Sequence, residues 1–200
     1  MKTIVVKILA LMLFVSLALG LTACGGDDIK YAEITVRDFG VITVELYADV
    51  APVSVANFVD LANRGIYEGS TFHRILNNFM IQGGAPADGS VSLKPIKGEF
   101  TSNGHKNNID HVRGVISMAR SNEPNSATSQ FFICNADSPH LNGDYAAFGR
   151  VISGMEVVDA ITEHGMNYTS SALNGIIYDV SCRPVIESIV IYDELPEAQQ

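Results

Sequence analysis

FHRILNNFMIQGG, residues 72 to 84, is the stretch whose reading decides the fold. Two short apolar runs flank Asn77-Asn78, which reads as a turn between two strands. Side chains alternate faces along a strand, so Phe72, Arg74 and Leu76 share one face and His73 and Ile75 the other. In the second run Met80 and Gln82 share a face while Ile81 points away. The pattern therefore places a guanidinium and an amide beside Phe79 and Met80, with no nucleophile among them.

Working outward, YAEITVRD and VITVELYA alternate apolar and polar residues over Phe39-Gly40 and predict a β-hairpin. Pro52 opens a helix near 52–64, where its missing N–H costs nothing, and Gly65 supplies the stop. Val55, Phe58, Val59 and Ala62 form the helical stripe. A Gly/Asn-rich loop from Ala85 to about Arg113 has little periodicity. GVISMA, SQFFICN and AAFGRVI are further strands. GMEVVDAITEHG predicts a second helix near 154–164 with Gly165 as its end, and VIESIVIYD is the last strand. Met166–Pro184 is irregular and reads as decoration. Eight strands, two helices and no βαβ rhythm predict a mainly β domain, an antiparallel barrel capped by helices.

The N-terminus is organised differently. MKTIVVK is basic, ILALMLFVSLALG is apolar and LTAC follows at once. The run is short for a membrane span and reads as the core of a secretory signal peptide. A small residue before Cys24 resembles the bacterial lipobox, which implies cleavage after Ala23 and lipid on the Cys24 thiol. Residues 1–23 are then a lipoprotein signal peptide, 24–30 a tether, 31–194 the domain and 195–200 a tail. The six tether residues from Gly25 to Lys30 reach about 20 Å when extended, so the domain is expected to sit close to the extracytoplasmic face of a cell membrane. Loss of Lys2 and Lys7 takes the formal net charge from −9 to −11. So acidic a domain has no electrostatic reason to bind nucleic acid or anionic lipid. The remaining Cys134 and Cys182 and the five scattered histidines show no metal-ligand spacing.

YEGSTFHRILNNFMIQG, residues 67 to 83, resembles the signature of the cyclophilin family of peptidyl-prolyl cis-trans isomerases. The resemblance continues through GVISMARS, PNSATSQFFI and HLNGDYAAFG, and GEFTSNG with IDHVRGVISMAR is similar to the bacterial branch. It implies a closed eight-stranded barrel with a helix at each end and a groove on the outer wall. Carried over on these motifs, Arg74, Phe79 and Gln82 are catalytic. Met80, Ala119, Arg120, Gln130, Phe132, His140, Leu141 and Tyr145 bind the substrate. Parity supports the groove independently, since Gln130 and Phe132 share one face while Phe131 and Ile133 point inward.

The resemblance implies a prolyl isomerase (rotamase) assisting the folding of exported proteins, without metal, nucleotide or other cofactor. The alternative is a chaperone or scaffold that binds proline-containing segments without turnover. The domain is expected to be a monomer with no partner beyond its clients and its lipid anchor. His140 stands where many relatives carry Trp, a position associated with cyclosporin binding, and Tyr145 stands where many carry His. Arg120 replaces a frequent Asn at a position whose backbone makes the main peptide contact.

Overall fold

The computed structural model describes residues 29–196. The stretch expected to be a signal peptide, Cys24 and most of the expected tether lie outside the described residues. Eight strands follow in order: β1 (Lys30–Val36), β2 (Gly40–Leu46), β3 (Arg74–Leu76), β4 (Met80–Gly83), β5 (Val115–Met118), β6 (Phe131–Cys134), β7 (Ala147–Ser153) and β8 (Ile186–Tyr192). Two α-helices, α1 (Pro52–Asn63) and α2 (Met155–Met166), join them. All pairings are antiparallel, in the order β3-β4-β6-β5-β7-β2-β1-β8.

The expected closed barrel is corrected by this order. The sheet is an open half-barrel, because its terminal strands β3 and β8 form no ladder with each other. The reason lies at the outer edge of β3. Ile75 N–H donates to the Gly175 carbonyl (2.7 Å) and Ile177 N–H donates to the His73 carbonyl (2.9 Å), so the segment after α2 occupies that edge. β8 reaches only the stretch before β3: Ile186 bonds to Gly69 and Ser70, and the residues just ahead of it add an isolated bridge between Thr71 and Val185 and a bond from Phe72 N–H to the Pro184 carbonyl. Buried edge groups need partners, and here an irregular segment supplies them.

Side-chain alternation builds two apolar layers from the same strands. The register aligns Ile75, Ile81, Ile133 and Ile116 across β3, β4, β6 and β5, and all four are buried on the concave side. They join Phe58, Tyr67, Phe131 and Phe148 in the main core, whose rings meet at centroid distances of 5.3–5.7 Å. Such tilted and edge-on pairs suit the ring quadrupole. Phe72 departs from the parity reading: it belongs to this inner core with Ile75, because residues 71–73 precede the regular strand. On the outer face, Met80, Phe132, Cys134 and Leu141 form a second, smaller cluster. Burial pushes the Cys134 thiol up to about 12, so it behaves as a small apolar side chain.

The helices close the two ends. Glu99, buried in the long loop, accepts from Val53 N–H (3.0 Å), Ser54 N–H (2.8 Å) and the Ser54 hydroxyl (2.8 Å), satisfying the first turn of α1. At the other end, Ile66 N–H donates to Leu61 and Gly65 N–H to Ala62 around Gly65 at φ +69°, a Schellman stop. Gly165 does not end the second helix as expected. It lies inside α2, where a Cβ would come within 2.7 Å of Ile75, so glycine there lets the helix press onto β3. The first hairpin also turns slightly earlier than expected, with Gly40 already paired to Val36, and β1 starts at Lys30 within the predicted tether.

Candidate active site

The row beside the four isoleucines faces outward. Arg74 pairs with Gln82, Gln82 with Phe132, and Phe132 with Ser117, across the same four strands. Strand register alone therefore sets a cation, an amide and an aromatic ring side by side. Three residues turn β3 into β4, with Asn78 at φ 54°. Asn and Asp tolerate that left-handed region better than most side chains. The turn is pinned by Asn135, which accepts from Phe79 N–H (2.7 Å) through Oδ1 and donates through Nδ2 to the Leu76 carbonyl (2.9 Å). Phe79 thereby overhangs the groove, with the Arg74 guanidinium carbon 5.9 Å from its ring centroid.

Arg74, Phe79, Met80, Gln82, Ala119, Arg120, Phe132, Leu141 and Tyr145 line one cavity of about 80 Å³. Its floor is the outer apolar cluster of Met80, Phe132 and Leu141, and its polar wall is a chain of hydrogen bonds. Arg74 Nη1 donates to Gln82 Oε1 (3.2 Å), and Gln82 Nε2 donates to Gln130 Oε1 (3.0 Å). Gln130 lines the adjoining wider cavity, about 290 Å³, which shares Gln82, Ala119 and Arg120 with the first. His140 lies at the rim and packs on Phe79 at a centroid distance of 5.1 Å rather than lining the cavity.

Arg120 and Ala119 play separate parts. The Arg120 side chain folds back, donating from Nε (3.0 Å) and Nη2 (2.8 Å) to the Asp144 carbonyl and lying 4.6 Å from the Tyr145 ring centroid. It braces the ridge between the cavities. Ala119 N–H donates to the Gln130 carbonyl (2.9 Å), which leaves the Ala119 carbonyl and the Arg120 N–H without protein partners among the described residues.

The electrostatics follow from what is missing near Arg74. None of the four ion pairs among the described residues includes it. Desolvation by burial holds its pKa below the ordinary guanidinium value, with Tyr145 acting the other way. A guanidinium stays protonated despite such a shift, so the groove contains a cation that no carboxylate neutralises. Behind the floor, His111 is buried and stacks on Phe132 (20° between planes). Its Nδ1 lies 3.1 Å from Asn142 Oδ1 and its Nε2 3.1 Å from the Ser117 hydroxyl, partners that suit the neutral ring with the proton on Nδ1. Desolvation lowers its pKa, which also favours the neutral form.

The sequence reading missed Asn135, His111 and Ser117; Asn135 and His111 bond to segments far off in the chain, and Ser117 completes the His111 pair. For Asn135 the only local signal was a polar residue ending an apolar strand.

Comparisons with known proteins agree with this architecture. A family model described as cyclophilin type peptidyl-prolyl cis-trans isomerase/CLD matches residues 31–181. A probable peptidyl-prolyl cis-trans isomerase of Brucella suis is 38% identical over 180 residues, covering 84% of this chain and 88% of its own. A peptidyl-prolyl cis-trans isomerase of Acinetobacter baylyi is 46% identical over 132 residues, covering 62% of this chain and 68% of its own. A crystal structure of a Cryptosporidium parvum cyclophilin type isomerase superposes with a TM-score of 0.68 at 28% identity, over 84% of this chain and 99% of its own. The outward row on β3, β4 and β6 thus sits in a chain matched along most of its length, and that chain belongs to the cyclophilin-type peptidyl-prolyl cis-trans isomerases and is an isomerase enzyme.

Proposed function

We propose that this isomerase turns X–Pro bonds in exported proteins beside a membrane, with Arg74 stabilising the twisted amide. An X–Pro bond is held planar by resonance, with a barrier of ~18–20 kcal/mol, and isomerises unaided over tens to hundreds of seconds. Rotation breaks the resonance, and the prolyl nitrogen pyramidalises and gains a lone pair. A donor aimed at that nitrogen binds the twisted state and not the planar one, which is the differential binding that catalysis requires. Arg74 is permanently charged and carries several donors.

Met80, Phe132 and Leu141, with Phe79 above them, receive the proline ring. Gln82, the Ala119 carbonyl and the Arg120 N–H hold the flanking peptide while the bond turns. No covalent intermediate is needed. The observation that carries this reading is the register that sets Arg74 and Gln82 beside Phe132 over an apolar floor. A Cryptosporidium parvum relative was also crystallised in the presence of the dipeptide Ala-Pro.

The test is a proline-limited peptide isomerisation assay on wild type and Arg74→Ala. Loss of one transition-state donor should cost on the order of 3 kcal/mol, about a hundredfold in rate. The melting temperature should stay in place, since Arg74 lies on the groove face and outside the core clusters. Near-full activity in a folded variant would sink the mechanism.

Placement at the membrane is part of the same proposal and rests on the basic start, apolar run and LTAC of the N-terminus. Cys24→Ser should release the protein from membranes, because the acidic domain has no electrostatic attachment of its own. Retention of that variant on membranes would remove the lipid from the account.

A further inference from the structure

The segment between α2 and β8 meets the groove at one residue. Arg74 Nε donates to the Asn174 backbone carbonyl (3.0 Å), and Arg74 Nη2 donates to Asn174 Oδ1 (3.2 Å). With Nη1 on Gln82, one N–H of each guanidinium nitrogen is committed to protein. One N–H on each Nη remains for substrate. We propose that Asn174 is a positioning residue that clamps Arg74 in its working orientation, an inference that rests on the role proposed above for Arg74.

Two features of this segment suit a clamp. Asn174 has φ 51°, a left-handed conformation in which both of its oxygens reach one guanidinium. Asn adopts that region more readily than most residues, while a β-branched or bulky residue there is an outlier. Gly175 follows at φ +76°, and a Cβ on it would lie 2.5 Å from Leu76 Cγ and 2.7 Å from the Ile75 carbonyl oxygen. Only glycine lets the turn press so closely against β3.

The turn is anchored on both sides. Ile75 N–H donates to the Gly175 carbonyl, Ile177 N–H donates to His73, and Arg183 Nε donates to the Ile177 carbonyl (2.7 Å). Ile177 itself is buried in the main core. The segment is thus a bracket, tied to β3 and to the core, that reaches the guanidinium.

The chemistry favours an amide at this position. An arginine side chain gives up much rotamer freedom when ordered. Two acceptors on one residue hold it at neutral cost in charge. The cation stays available to the prolyl nitrogen, where a paired carboxylate would compete for it.

The test compares full-length wild type, Arg74→Ala, Asn174→Gly and Asn174→Asp in the peptide assay. It is joined by NMR of the Arg74 Nε–H signal. Glycine accepts the left-handed backbone and keeps the carbonyl, so only the side-chain oxygen is lost. Asn174→Gly should lower kcat about tenfold with KM and melting temperature unchanged, because misplacing a catalytic group mainly affects the reacting geometry. Its Arg74 Nε–H keeps its carbonyl partner, but the signal should broaden, because the guanidinium loses one of its three protein acceptors and turns more freely. Asn174→Asp restores an oxygen acceptor, so the Arg74 Nε–H signal should sharpen again, while its charge competes for the guanidinium and keeps kcat below wild type.

If Arg74→Ala is inactive while Asn174→Gly keeps wild-type kcat, the clamp is overturned and the role of Arg74 stands. A loss in Asn174→Gly with the Arg74 Nε–H signal unchanged also overturns it, since the guanidinium would then be held without the side-chain oxygen. An active Arg74→Ala removes the role of Arg74 and the clamp with it.

Discussion

The two sides of β4 and β6 carry apolar clusters with opposite fates. On the inner side, Ile81, Phe131 and Ile133 are enclosed by α1, β1, β2 and the far strands, and their contacts are complete. On the outer side, Met80, Phe132 and Leu141 are nearly as buried, yet they end at a cavity walled by Arg74 and Gln82. On the proposed function, residues one position apart therefore divide between stability and binding. An apolar cluster that its own fold leaves unfinished, ringed by donors, is a site awaiting a ring of similar shape.

The contrast breaks most sharply at adjacent phenylalanines. Phe131→Ala empties the inner core and should cost about 3–5 kcal/mol of stability, read by urea denaturation. Phe132→Ala removes part of the groove floor and should lower kcat/KM by about 2 kcal/mol, thirtyfold or so. Its stability loss should be the smaller of the two. Equal stability losses in both variants, with activity unchanged in the folded Phe132→Ala enzyme, would erase the distinction between the clusters.

A second measurement sharpens the outer side. His140 packs on Phe79 at the rim, so His140→Trp should extend the apolar wall and add an indole N–H without altering the floor. Cyclosporin inhibition should strengthen about tenfold, or 1.4 kcal/mol, with turnover of small proline peptides unchanged. Unchanged inhibitor affinity would leave His140 as a loop residue alone.

The smallest effect is a dependence on pH. His111, beneath Phe132, and His73, beside β3, both have pKa values lowered by burial from the ordinary 6.5. Each binds a proton less readily folded than unfolded. Their neutral forms therefore support the fold above about pH 6.5, and that support is lost as pH falls from there toward the folded values. Asp110 opposes the shift at His111, while His140 adds to it. Lowering the pH from 7.5 to 5.5 should reduce the melting temperature by roughly a few degrees, and His111→Gln should show a shallower decline. Equal slopes would exclude His111 as a contributor.

What the chain made legible was whatever repeats at a short period. Alternation placed Ile81, Phe131 and Ile133 inside and Gln82 and Phe132 outside, because β4 and β6 are regular strands. It failed at Phe72, which lies before its strand begins. Helical spacing located α1 and α2, but a glycine inside α2 was read as its end, since close packing on Ile75 leaves no local mark. The closed barrel was expected from strand count, and count carries no information about which segment occupies the β3 edge. Asn135 and Asn174 act across separations of 56 and 100 residues, as single polar side chains in irregular stretches. Only the fold brings them to their partners.

The open seam beside β3 has a consequence for how the molecule comes apart. β3 is three residues long, terminates the sheet, and rests on backbone bonds to a loop. Elements with few cooperative partners open at free energies below that of global unfolding. The guanidinium rides on this strand, so a fraying event that leaves the aromatic core folded still disassembles the groove. Amide protons of Ile75 and Ile177 would then exchange ahead of those of Ile133. Activity would fade at denaturant concentrations where the circular dichroism of the sheet is intact.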